Sequence, residues 1–92
     1  MNRNETIRQE ILTQLYGYRP SARDAERMAK LARREGELSD ATTAEFEREA
    51  AYLAGLKPEG LILLEPDPLA PGHKRWAITS AGIAHLEARG LV

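Results

Sequence analysis

Three stretches decide the fold class: Gly60-Leu61-Ile62-Leu63-Leu64-Glu65, Lys74-Arg75-Trp76-Ala77-Ile78 and Thr79-Ser80-Ala81-Gly82-Ile83-Ala84-His85-Leu86. The first is a short apolar run and reads as a strand. Pro66, Pro68 and Pro71-Gly72 turn it into a loop, since proline lacks the N–H that a strand ladder uses. That loop, 66–72, is the expected flexible part of the chain. Lys74 to Ile78 alternates outward and inward positions and reads as a second strand. Ile62 and Leu64 then share a face of one strand, and Trp76 and Ile78 share a face of its partner. Thr79 is the expected cap of a last helix that packs through Ile83, Leu86 and Ala84. Gly82 allows that helix to approach closely, Gly90 ends it, and Leu91 folds back to seal the end.

Upstream of the first strand the apolar period changes to that of helices. Ile7, Ile11, Leu12 and Leu15 mark a first helix over about Asn4 to Tyr16, with Asn4 as its cap, Gly17 as its end and Tyr16 and Tyr18 packing there. Pro20 prevents simple continuation. Ser21 is the expected cap of a second helix running to about Glu35 and stopping at Gly36. Its Ala25, Met28, Ala29 and Ala32 lie on one side, and Arg23, Arg27, Lys30 and Arg34 lie in a narrow stripe on the other. A third helix runs from Thr43 to about Leu56 on Phe46, Ala50, Leu53 and Leu56, with Ser39, Asp40, Thr42 and Thr43 competing to cap it. Gly55 and Pro58 mark its end.

Composition narrows the function classes. The chain has 92 residues, 42% hydrophobic and 29% charged, which suits a single domain over residues 1–92. It has no cysteine, so disulfides, thiolate metal sites and cysteine nucleophiles are excluded. His73 and His85 are too few for a structural zinc site without clustered carboxylates. No apolar run reaches the roughly 20 residues of a membrane helix, and the opening residues lack a signal-peptide core, so a cytoplasmic protein without membrane contact is expected. The seven glycines are isolated punctuation, and Ser21, Ser39 and Ser80 sit at helix caps. An enzyme is therefore not expected, nor a cofactor or metal.

The net charge of −1 conceals segregation. Residues 19–34 carry six basic and two acidic groups, whereas residues 35–65 carry two basic and eight acidic groups. A dipolar surface of this kind selects and orients partners.

Tyr52-Leu53, then Gly60-Leu61-Ile62, then Trp76-Ala77-Ile78-Thr79-Ser80-Ala81-Gly82 resembles the carboxyl half of winged helix-turn-helix domains, as found in transcription regulators of the MarR and PadR kind. The resemblance implies an α+β, mostly helical fold: three helices, a two-stranded wing hairpin and a C-terminal helix. It also implies binding of double-stranded DNA, with Ala41 to Arg48 entering the major groove. Thr42, Thr43 and Arg48 suit that role, because hydroxyls reach phosphate or base edges and arginine takes guanine by two hydrogen bonds. Arg23, Arg27, Lys30 and Arg34 would follow the phosphate backbone, joined by His73, Lys74 and Arg75 from the wing. The same stripe equally reads as a solvated face, and Trp76 reads as a core anchor because it shares the inward register of Ile78.

Glu45, Glu47 and Glu49 do not suit a DNA-facing helix, since carboxylates are repelled by phosphate. They support a second reading: a protein-interaction adaptor that presents its acidic third helix to a partner and binds no DNA. The opposed charge segments also permit self-association, and a homodimer would form on the first and last helices.

Overall fold

The computed structural model describes residues 2–91. The elements run α1 (Arg3–Tyr18), β1 (Arg23–Asp24), α2 (Ala25–Ala32), a 3-10 turn (Gly36–Leu38), α3 (Thr43–Ala54), β2 (Ile62–Asp67), β3 (Ala70–Ile78) and α4 (Ser80–Ala88). The class is α+β and mostly helical. The strands form one antiparallel sheet of order β1-β3-β2, so β3 is central. Among the described residues no helix is long and apolar enough to cross a membrane.

α1 buries Ile7, Ile11, Leu12 and Leu15, as its spacing requires. Its cap is Asn2, not Asn4: the Asn2 side chain accepts from Glu5 N at 2.8 Å. Gly17 does not end the helix, which continues to Tyr18. No atom lies within 4 Å of where a Gly17 Cβ would sit, so glycine there carries only its intrinsic helix penalty of about 1 kcal/mol. Pro20 terminates the segment instead.

The second correction concerns residues 21–24. Asp24, not Ser21, caps α2, accepting from Arg27 N at 2.7 Å. Arg23 and the cap residue Asp24 itself form a short strand opposite Trp76 and Arg75. Two residues are too few to produce a period, which is why the sequence showed no strand here. α2 also ends at Ala32 rather than Glu35, because Arg34 N and Glu35 N bond back to Leu31 and Ala32 in tightened turns. Its inner face is the expected one: Ala25, Met28, Ala29 and Ala32 are buried.

Thr42 wins the competition to cap α3. A full capping box joins Thr42 and Glu45, each satisfying a backbone N–H of the other. Phe46, Ala50 and Leu53 point inward as expected, and Leu56 packs partly against the core from beyond the helix end. Glu49 is buried beside them at 2% exposure, which the apolar pattern did not reveal.

The hairpin departs from expectation at its tip. β2 continues through Pro66 to Asp67 and β3 starts at Ala70, so the loop expected at 66–72 is reduced to a turn of Pro68 and Leu69. Pro66 is tolerated because β2 is an edge strand. The register runs regularly from Ile62↔Ile78 to Pro66↔Lys74 and then jumps to Asp67↔Ala70. Pro71, Gly72 and His73 therefore bulge out of the ladder. The shared faces are as read, with Leu64 opposite Trp76, yet Leu64 is 42% exposed. Only the hairpin residues nearest the helices, Ile62, Trp76 and Ala77, are buried.

Thr79 caps α4 through Gly82 N at 3.1 Å and donates its hydroxyl to Gly60 O at 2.7 Å. α4 meets the core along the narrow line of Gly82 and Leu86; Ile83 is half-buried, and Ala84, an expected packing residue, is exposed. At the helix end Gly90 takes φ +66° and Leu91 N bonds Leu86 O at 3.0 Å, the seal expected there. Ile7, Ile11, Leu15, Met28, Leu38, Phe46, Ile62 and Leu86 form the centre of one core that joins all four helices to the sheet.

Candidate nucleic-acid interface

The ion pairs decide which charges remain available. Glu45 takes two hydrogen bonds from Arg3, at 2.7 and 3.1 Å. Those bonds, with the backbone N–H of Thr42, hold its carboxyl at about 2. Glu49 accepts from Arg8 at 2.7 Å and from Arg48 at 2.9 Å. Burial pushes the Glu49 carboxyl up, and the two arginines outweigh it and bring it below the usual range. Two of the three glutamates of α3 thus bind the helix to α1, leaving Glu47 as the outward carboxylate of the three.

The basic groups of α2 behave oppositely. Arg27, Lys30 and Arg34 line one surface depression together with Leu31, Asp24 and Glu26. Arg27 and Lys30, three residues apart, share one face of α2, and Arg34 follows from the tightened turn just beyond the helix end. None of their side chains makes a hydrogen bond or ion pair among the described residues. Arg23 is not on α2 but on β1. Its guanidinium lies 3.9 Å over the Tyr18 ring and donates to Gln14 at 3.2 Å, so it is held toward α1.

A second cleft runs between the start of α2, the start of α3 and the β3 bulge. Asp24, Glu26, Thr43, Glu47, Gly72, His73, Lys74 and Trp76 line it. The fold therefore brings Thr43 together with His73 and Lys74, 30 positions later in the chain. Lys74 is exposed and makes no ion pair among the described residues. Arg75 is half-buried and gives Nη2 to Pro66 O at 3.2 Å, while its buried Nε has no partner. Trp76 is a core anchor at 5% exposure, and its buried indole N–H is likewise unpartnered. Asp24 and Glu26 border both depressions, so the two meet at the start of α2.

Three expected contacts are otherwise engaged. The Thr42 hydroxyl serves the capping box, Arg48 is drawn to Glu49 and Asn4, and His73 is bonded by both ring nitrogens to carboxylates. Asp24 and Asp67, the partners of His73, were missed by the sequence reading. They lie 49 and 6 residues from it, and no local pattern links them.

No group of three or more metal-ligating side chains occurs among the described residues. Comparison of the chain with protein-family models, with curated proteins and with solved structures returns no match.

Proposed function

We propose that this chain is a winged helix-turn-helix domain that binds double-stranded DNA, as a small transcriptional regulator. The observation that carries the reading is the unequal use of charge. The acidic side chains of α3 are largely consumed by α1, while Arg27, Lys30 and Arg34 along α2 and its end, and Lys74 of β3, are left without partners among the described residues. The repulsion that three free glutamates would exert on phosphate is thereby reduced to that of Glu47. A hairpin following α2 and α3, with β1 paired to its central strand, supports the winged architecture. The ten-residue connection from Arg33 to Thr42 is longer than the roughly 3–4-residue turn of compact helix-turn-helix units. In this reading α2 and the hairpin hold phosphates, and Thr43 and the outer side of α3 face the groove.

The adaptor reading is favoured by a different observation. Leu69 at the hairpin tip is 93% exposed and Leu63 of β2 is 58% exposed, two apolar side chains that a protein partner would cover. In that case the partner surface is the hairpin rather than the acidic third helix.

Fluorescence anisotropy with a random duplex of about 30 base pairs separates the two. Four phosphate contacts give a slope of log K against log salt of about −3.6, at about 0.9 per contact. Arg27→Glu combined with Lys30→Glu removes the binding. Absence of binding even at low salt overturns the DNA reading in favour of the adaptor.

A further inference from the structure

His73 stands on the β3 bulge between two carboxylates that belong to other elements. Its Nε2 lies 2.8 Å from Asp24 Oδ2 and its Nδ1 lies 3.1 Å from Asp67 Oδ2. Each aspartate is already fixed by its other oxygen: Asp24 Oδ1 accepts from Arg27 N at 2.7 Å and Asp67 Oδ1 accepts from Leu69 N at 2.9 Å. The carboxylates are therefore two anchored points, one at the start of α2 and one at the hairpin turn. His73 bridges them across the stretch where residues 71–73 leave the ladder.

A carboxylate only accepts, so both ring nitrogens must donate, and only the imidazolium carries two N–H groups. A neutral ring satisfies one aspartate and turns a lone pair on the other. Beyond the two aspartates the neighbouring charges are mixed. Glu26 of α2 and Glu47 of α3 line the same cleft, against Lys74 of β3, and Arg75 acts on Asp67.

We propose that His73 is a titratable positioning residue, whose imidazolium clamps the bulged hairpin to the start of α2 and whose deprotonation releases the hairpin and weakens DNA binding. The DNA half rests on the function proposed above; the clamp rests on the geometry of the three side chains alone. Hydrogen bonding to Asp67 and then to Asp24 raises the His73 pKa, so the clamped form extends upward from the ordinary histidine range. His85, the other histidine, is shifted the opposite way by burial and by Arg89, and it lies in a separate groove between α1, α3 and α4.

The two imidazoles make the test self-referenced. NMR titration from about pH 5.5 to about pH 9 should show His73 losing its proton at higher pH than His85. Heteronuclear NOEs of the Leu69, Ala70, Gly72 and His73 amides should fall as His73 titrates. In His73→Asn and in Asp67→Asn they should not follow that transition. Duplex affinity should drop about fivefold across the same range in the unaltered chain, the low end of ordinary two-site coupling, and stay level in His73→Asn. NOEs that ignore the titration, or a His73 transition at or below that of His85, overturn the clamp. If the NOE change persists while no duplex binds at any pH, the clamp stands and the DNA reading fails. If duplex binds and the NOEs do not change, the clamp fails alone.

Discussion

Arg8 Nε donates to Glu49 Oε1 across 2.7 Å, joining α1 to α3 between residues 41 apart in the chain. Glu49 is 2% exposed, and the Arg8 guanidinium also lies 3.8 Å over the Tyr52 ring. The carboxylate's second arginine, Arg48, has a side chain that is 61% exposed. Removing the better-buried partner of a buried ion pair leaves an uncompensated charge, which costs about 3–5 kcal/mol. Arg8→Met should therefore lower stability by about 3 kcal/mol, since Arg48 still compensates in part. Arg48→Met should cost less than about 1 kcal/mol, as for exposed pairs. Urea denaturation of the two variants measures the difference; equal costs would show that Glu49 depends on both arginines alike.

The pH dependence of stability should carry two opposite signatures. Glu45 titrates lower in the fold than in the unfolded chain, so its contribution is present above the ordinary glutamate range and is lost as pH falls toward about 2. Glu45→Gln should flatten that acid limb and lower stability near neutrality. Glu10 is shifted upward, first by burial and then by Glu35, against the opposing hydrogen bond from Gln14. A raised acid stabilises only below its unfolded value, so its ionisation works against the fold at neutral pH. Glu10→Gln should raise the melting temperature at neutral pH and have no such benefit in acid. Thermal melts of both variants across pH check the signs.

Gly82→Ala should be strongly destabilising despite the high helix propensity of alanine. A Cβ there would lie 2.2 Å from Leu61 O and 2.7 Å from Ile78 Cγ1. Leu61 O is backbone and already accepts from Thr79 N at 3.1 Å, so it is poorly placed to yield. α4 would have to lift away from the hairpin, at a cost of about 1–3 kcal/mol. Gly90→Ala should cost about 1–2 kcal/mol for a different reason, the left-handed φ of +66°. Melting temperatures measure both costs, and amide hydrogen exchange at Thr79 and Gly82 separates the two, because only Gly82→Ala should loosen the contact between α4 and the hairpin.

What could be read locally was determined by the sequence alone. The apolar periods located all four helices and both long strands, and proline, glycine and cap residues placed most of their ends within a turn. Thr79, Gly82, Gly90 and Trp76 even have the roles their positions implied, because each depends on neighbours a few residues away or on a simple inward register. The tertiary structure decided the rest. β1 exists only because β3 passes beside Arg23 and Asp24, and two residues leave no period to read. Pro66 lies in a strand because the edge position of β2 asks no ladder hydrogen bond of its nitrogen. The charge pattern changed most. Glu45, Glu47 and Glu49 form one acidic cluster when counted along the chain, but α1 brings Arg3 and Arg8 against two of them. His73 looks like one of three neighbouring cations, but the fold supplies it with two carboxylates from distant elements. Charge acts through space, and sequence records only the distance along the chain.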